Sequence, residues 1–327
     1  MSLRFNRYSI FTTLFLGLFS LTALGHPGLT EVPVFGSNPG NLALFRYAPS
    51  SINKTENRPL VVVLHGCNQS AGAIARTSDW NKLADRYGFY IAYPEQQLVN
   101  NPSRCFNWFR EKDYLGAGGE VGSIHQIILY MMKNFAIDSS QVFVYGVSAG
   151  AAISVAYIAN HPKMVNAGAI LAGSAYGMAE NVASSLAVML KPKKRHGADW
   201  ENRIRSVVPD YTGTYPRLVV MHGLDDDVVD PENSRQLVKQ WIALHDLDSI
   251  PSSVKPYANA SALSRYAYSD RNGKEMLIHY EMDEFGHALP VFPGEGDDCG
   301  GNTGLFARDM GFFSTYWIAR DFGIVLE

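Results

Sequence analysis

Cysteine is scarce in this chain: 327 residues hold three, Cys67, Cys105 and Cys299. An odd number allows at most one internal bridge and leaves one thiol over, and the count alone does not choose the pair. A charge excess is missing as well. The formal net charge is −3 with 18% charged residues, which argues against a nucleic-acid or anionic-membrane partner. The run Lys191-Pro192-Lys193-Lys194-Arg195 is basic but brief, and reads as a solvated loop. Internal repeats, low-complexity tracts and Pro/Thr/Ser linkers are absent. What remains is ordinary globular composition, 46% hydrophobic, with ample length for one large core.

Only the N-terminus carries a long apolar stretch. It runs from Ile10 to Leu24, is interrupted by Thr12, Thr13, Ser20 and Thr22, and follows Arg4 and Arg7. The small residues Ala23 and Gly25 suit a signal-peptidase cut before His26. A membrane anchor is the alternative, but the stretch is short for a span of roughly 20 residues and no second one follows. The expected organisation is a signal peptide at 1–25 and a single catalytic domain at 26–327. No cysteine follows the apolar core, which argues against a lipid anchor. Export to the periplasm or the outside would place the chain where disulfides persist.

Along the rest of the chain, strand-like and helix-like runs alternate. Leu60–Leu64 (LVVVL) is a continuous apolar run, as a strand buried on both faces should be. Thr77–Tyr87 has helical spacing, and Tyr90–Tyr93 is the next strand. Glu120–Phe135 carries Val121, Ile124, Ile127, Ile128, Met131 and Phe135 on one helical face. Gln141–Tyr145 reads as a strand, with a helix behind it to about Asn160. Ala167–Leu171, Arg217–Met221 and Glu275–Glu281 read as further strands, Glu232–His245 and Ala307–Phe322 as helices. Tyr176–Tyr215 reads as a mixed excursion between two sheet strands. This alternation predicts an α/β protein with a mostly parallel sheet and helices on both faces.

At one switch from strand to helix stands Gly146-Val147-Ser148-Ala149-Gly150. A serine on so tight a turn has an exposed hydroxyl, and only small residues fit two places before and after it. This is the G-x-S-x-G nucleophile elbow. The chance occurrence of the pattern in a chain with 29 glycines is outweighed by its position between an apolar strand and a helix. The helix that follows presents its N-terminal amides to developing negative charge.

Serine needs a base, and the base an orienting carboxylate, in the chain order Ser, acid, His for this fold. After Ser148 the run RLVVM leads into His222-Gly223-Leu224-Asp225-Asp226-Asp227-Val228-Val229-Asp230-Pro231. Four aspartates compete. Asp226, three residues past Gly223, is the preferred acid, with Val228 and Val229 packing beneath; Asp225 and Asp227 are alternatives, and Asp230 is placed to cap the next helix. A three-aspartate metal site is the competing reading, without a further ligand at useful spacing. His287 in Glu284-Phe285-Gly286-His287-Ala288 lies on a loop after the last strand and is the expected base. His279 lies inside a strand and reads as structural. His65, His161, His196, His222 and His245 lack comparable placement. The oxyanion should meet the amide of Ala149 and one from the loop His65-Gly66-Cys67-Asn68, with Cys67 the choice.

With these residues in place, the chain resembles the polyhydroxybutyrate-depolymerase-type esterases, α/β-hydrolases grouped with feruloyl and acetylxylan esterases. The resemblance covers nearly the whole chain after the signal. It rests on LVVVLHGCNQS, Tyr93-Pro94-Glu95-Gln96, Arg104-Cys105-Phe106-Asn107-Trp108, the elbow, Tyr211-Thr212-Gly213, RLVVMHGLDDDVV, GHALPVFPGEGDDCGG and YWIARDFG. It implies an α/β-hydrolase fold, a Ser148–Asp226–His287 triad, Cys67 in the oxyanion loop, an ester substrate and no cofactor. It also implies a Cys67–Cys105 bridge, with Trp108 lining the substrate pocket; a core tryptophan is the plain alternative. Two departures stand out. Cys299 lacks the second cysteine that relatives often carry near the closing helix. No linker and substrate-binding module follow the last helix, so soluble oligomers, amorphous polymer or small esters fit better than crystalline polymer.

Two glycine-rich stretches invite other readings. Gly116–Gly122 has Val121 where a dinucleotide fingerprint needs glycine, and reads as a turn before a helix. Gly294–Asn302 lacks the ligand spacing of a calcium loop, so no metal is expected.

Overall fold

The computed structural model describes residues 28–257 and 260–326. The signal peptide expected at 1–25 lies outside them. The elements are, in chain order, β1 (Thr30–Glu31), β2 (Ala43–Tyr47), β3 (Arg58–Leu64), α1 (Ala71–Ser78), α2 (Trp80–Tyr87), β4 (Tyr90–Glu95), α3 (Glu111–Tyr114), α4 (Gly119–Asn134), β5 (Ile137–Val147), α5 (Ala149–Asn160) and β6 (Ala167–Leu171). Then come α6 (Val182–Leu190), α7 (Gly197–Arg205), β7 (Arg217–Gly223), α8 (Glu232–Leu244), β8 (Ser253–Tyr257), β9 (Ala260–Ser269), β10 (Glu275–Met282), β11 (Leu289–Val291), β12 (Ala307–Asp309) and α9 (Ser314–Phe322).

Ten strands form one sheet in the order β1-β2-β4-β3-β5-β6-β7-β10-β9-β8. From β4 to β10 every neighbouring pair is parallel. The outer pairs on both sides are antiparallel. The continuous apolar runs follow from this. Leu60, Val62 and Leu64 of β3 join a core with α4, α5, α7 and α8 on one face, while Val61 and Val63 join a core with α1, α2 and α9 on the other. A strand covered on both faces favours apolar side chains at successive positions. No helix among the described residues is long and apolar enough to cross a membrane.

The structure departs from the sequence expectations at two elements. The helix expected over 77–87 is two helices, because Asp79 takes a left-handed conformation (φ 54°) between α1 and α2. The helix expected over 307–322 begins only at Ser314. Ala307–Asp309 is instead a strand paired with Leu289–Val291, and Gly311 (φ 70°) turns the chain between it and α9. This small second sheet anchors the stretch that follows His287. Leu289 N donates to Phe306 O at 2.8 Å, Met310 N to Val291 O at 3.1 Å, and Ser314 Oγ to Pro290 O at 2.7 Å.

Candidate active site

Ser148 stands at the end of β5 with φ 55° and ψ −119°, a strained conformation for a residue with a side chain. Its amide donates to Leu171 O (2.8 Å) and its carbonyl accepts from Ala152 N (3.0 Å), so the turn is held from both sides. The flanking glycines are sterically required. A methyl group on Gly146 would lie 2.3 Å from Gly150 O, and one on Gly150 would lie 2.4 Å from Leu64 O and 2.5 Å from His65 O.

His287 and Asp226 complete a line of hydrogen bonds to this serine. His287 Nε2 lies 3.1 Å from Ser148 Oγ, and its Nδ1 lies 2.7 Å from Asp226 Oδ2. The carboxylate can only accept, so Nδ1 carries the proton and the Nε2 lone pair faces the serine hydroxyl. Of the four aspartates weighed, Asp225 and Asp227 are exposed and Asp226 is buried. Asp230 accepts from Glu232 N (2.8 Å) at the start of α8, the capping contact its position suggested. Val228 does not pack beneath Asp226. It is 41% exposed, and what it contributes is its amide, which with that of Val229 donates to Asp226 Oδ1 at 2.9 and 2.8 Å.

Asp226 has a further partner that sequence reasoning passed over. His222, fully buried at the end of β7, places Nε2 3.0 Å from Asp226 Oδ2 and 2.9 Å from Val229 O, while Nδ1 meets the Ser234 hydroxyl. A carbonyl and a carboxylate both need a donor, so His222 Nε2 carries the proton. Burial works against the charged form of Asp226, but the hydrogen bonds from His222 and His287 outweigh it and hold the carboxyl well below the usual carboxylate range. The one available signal was the dipeptide His222-Gly223, which repeats at a strand end the His65-Gly66 of β3. Gly223 matters too: a methyl there would lie 2.1 Å from Phe285 O, so the acid-bearing and histidine-bearing loops pack backbone to backbone. Leu224 N–Met282 O (2.8 Å) and Asp225 N–Phe285 O (3.0 Å) stitch them together.

The loop after β3 lies directly against the serine. A methyl on Gly66 would stand 3.4 Å from Ser148 Cβ. Gly66 N donates to Gln69 Oε1 (2.8 Å), Asn68 N donates to Ser103 O (2.7 Å), and a disulfide joins Cys67 to Cys105. Cys299 is free. Two clefts open beside Ser148 and share Cys67, Ser148, Ala172 and Met189 as walls. The first continues over Val147, Leu171, Met221, Met282, Pro290 and Phe306 and contains His287. The second holds Ala149, Trp108 and Phe109, with Val182 and Leu186 of α6. Trp108 is therefore a half-buried wall of the second cleft. Among the described residues, no Lys, Arg, Asp or Glu lines either cleft. Among the described residues no group of three or more His, Cys, Asp or Glu could hold a metal ion.

Behind the disulfide lies a buried carboxyl that the sequence did not single out. Glu120 accepts from Asn107 N (2.7 Å), Asn107 Nδ2 (2.6 Å) and Gln96 Nε2. Burial and the neighbouring Asp113 push it up to about 8, against the pull of these three donors.

Residues 42–253 match the family described as "Esterase PHB depolymerase". The chain belongs to this esterase family. It is 35% identical over 297 residues to poly(3-hydroxyalkanoate) depolymerase C of Paucimonas lemoignei, covering 91% of this chain and 70% of that enzyme. It is 31% identical over 293 residues to feruloyl esterase B of Neurospora crassa, covering 86% and 94%. An acetyl xylan esterase from Aspergillus awamori has the same fold, with a TM-score of 0.75 at 22% identity over 91% of this chain and 99% of that one. This family member is a carboxylic-ester hydrolase with an α/β-hydrolase fold.

Proposed function

We propose that this chain is an exported serine esterase that cleaves poly- or oligo(3-hydroxyalkanoate) through an acyl-enzyme on Ser148. The observation that carries the reading is His287, within hydrogen-bond distance of both Ser148 Oγ and Asp226 Oδ2. His287 Nε2 takes the hydroxyl proton as Ser148 Oγ attacks the ester carbonyl. Asp226 fixes the tautomer and offsets the imidazolium charge. The Cys67 and Ala149 amides hold the oxyanion. The protonated His287 then gives its proton to the leaving alcohol. Water then attacks the acyl carbonyl as it loses a proton to His287, and the acyl–Oγ bond breaks as His287 returns that proton to Ser148 Oγ, releasing the acid. None of these steps calls on a cofactor.

The lining of the clefts supports an aliphatic polyester. Two clefts that meet at the serine and carry no Lys, Arg, Asp or Glu among their described lining residues suit an uncharged chain, with acyl and alcohol portions in different clefts. The depolymerase relative supports the same class. A feruloyl- or acetylxylan-type activity is the second reading, and Trp108 favours it, because an indole beside Ser148 could stack on an aromatic acyl group. Initial rates on hydroxybutyrate oligomers and on methyl ferulate separate the two. Ser148→Ala should abolish hydrolysis of p-nitrophenyl butyrate and labelling by a fluorophosphonate; retained activity would move the nucleophile elsewhere. Export with a single domain at 26–327 predicts that the secreted protein begins at His26, which N-terminal sequencing reads directly.

A further inference from the structure

The structure assigns His65 a role in the reaction: we infer that it is a positioning residue that sets the plane of the Gly66–Cys67 peptide, and so aims the Cys67 amide at the oxyanion. The inference rests on the oxyanion role proposed for Cys67. His65 directly follows β3 and is fully buried. Its two ring nitrogens meet two backbone groups of opposite kind. Nδ1 lies 2.7 Å from Gly66 O, and Nε2 lies 3.1 Å from Gln96 N at the end of β4. A carbonyl can only accept and a peptide N–H can only donate. Only one neutral form satisfies both, with the proton on Nδ1 and the lone pair on Nε2. Burial pushes the imidazole down to about 4, so this form holds through neutral pH. The ring itself is fixed by Phe106, whose centroid is 5.0 Å away and which follows Cys105 of the disulfide.

The consequence follows from peptide geometry. A trans peptide is planar, with its C=O and N–H pointing in opposite directions. No cis bond occurs among the described residues. When His65 draws Gly66 O inward, the Cys67 N–H must point outward, to the side where Cys67 and Ser148 wall both clefts. Gln69 holds the preceding peptide, through its Oε1 on Gly66 N, and only weakly assists at Gly66 O with its own amide at 3.3 Å. His65 thus supplies the shorter of two contacts on the carbonyl that orients the donor.

Two substitutions divide the ring's functions. In His65→Asn the side-chain amide can keep a donor near the Nδ1 position and lose the contact to Gln96. In His65→Gln an acceptor can reach the Nε2 position, and the donor to Gly66 is lost. Each forfeits one buried hydrogen bond, so both should melt at similarly reduced temperatures. The kcat on p-nitrophenyl butyrate should fall on the order of 10²–10³-fold in His65→Gln and at least tenfold less in His65→Asn, with KM changing little in either. Equal losses of kcat that track the melting temperatures would overturn the inference and leave His65 a packing residue. Should either variant fail to fold, the wild-type enzyme still tests it. Its ¹⁵N spectrum should show His65 neutral with the proton on Nδ1 from pH 5 to 8, and an alkyl trifluoromethyl ketone should shift the Cys67 amide proton downfield. A proton on Nε2 would refute the role of His65. An unshifted Cys67 amide in a formed adduct would instead refute the proposed oxyanion assignment.

Discussion

At the scale of single residues, the site is built by saturating one carboxylate. Asp226 accepts from the Val228 and Val229 amides on one oxygen and from His287 and His222 on the other. A group so surrounded is ionised and cannot rotate, which is the state that fixes the His287 tautomer. Asp226→Asn replaces an acceptor facing two imidazoles with an amide that can present a donor to them. The expected result is a loss of kcat on the order of 10⁴-fold with the fold retained by circular dichroism; a loss under tenfold would place the orienting acid elsewhere. Ser148 was legible from five letters because its requirements are local. His222, His65 and Glu120 were not, since a buried polar residue is defined by the partners that folding brings to it: Glu120 meets Gln96 and Asn107, His65 meets Gln96, and His222 meets Asp226 and Ser234. Aspartate choice fell between these cases. Four acids in six positions all satisfy the chain order, and burial, which the letters do not carry, separates Asp226 from Asp225 and Asp227.

At the scale of elements, close backbone approach is what the glycines of the site provide. Helix α5 starts immediately behind Ser148 and lies against the end of β3 through Gly150. Gly150→Ala would press a methyl group into two carbonyl oxygens that cannot move without bending the sheet. It should lower stability by about 1–3 kcal/mol or more and slow fluorophosphonate labelling. Gly304→Ala, where no atom lies within 4 Å of the added carbon, should leave the urea midpoint unchanged. Similar midpoints for both variants would contradict the packing argument. The same distinction explains which elements the sequence revealed. β3, β5, β6 and β7 are covered on both faces and carry apolar runs (LVVVL, VFVY, AGAIL and LVVM). The antiparallel edges have weaker patterns: β8 (SVKPY) is partly exposed along its whole length, and β2 (ALFRY) carries an arginine. β12 (ARD) is three residues that gain strand character only from pairing with β11, and helical spacing there was misleading.

At the scale of the whole molecule, buried ionisable groups set a pH window. Burial pushes His65, His161 and His245 down to about 4 and His279 to about 3, with the neighbouring His125 adding to the effect at His161 and His222 to that at His279. Their folded values lie below the ordinary imidazole value near 6.5. The unfolded chain therefore binds more protons between the two, and the stability they support is full above about 6.5 and lost as pH falls toward 4. Each group contributes up to about 1.4 kcal/mol per pH unit, with half-buried His161 and His245 contributing less. Glu120 acts in the opposite sense. Raised to about 8, it contributes fully below its ordinary value near 4.5 and loses that contribution as pH rises through 8. The four histidines lose their contribution on the acid side, and the contribution of Glu120 is lost as pH rises toward 8. Urea midpoints should fall steeply from pH 6.5 to 4 and more gently from 6.5 to 8.5. A midpoint that is level from 6.5 to 4 would contradict the histidine account.

The Cys67–Cys105 bond is a covalent tie at the rim of the site. It fastens the loop beside Ser148 to the segment bearing Trp108, and both segments line one cleft. In a reducing cytosol that bond would be open, and the loop would keep only its hydrogen bonds, Gly66 N to Gln69 Oε1 and Asn68 N to Ser103 O. On the proposed export, oxidation outside the cytosol would close it.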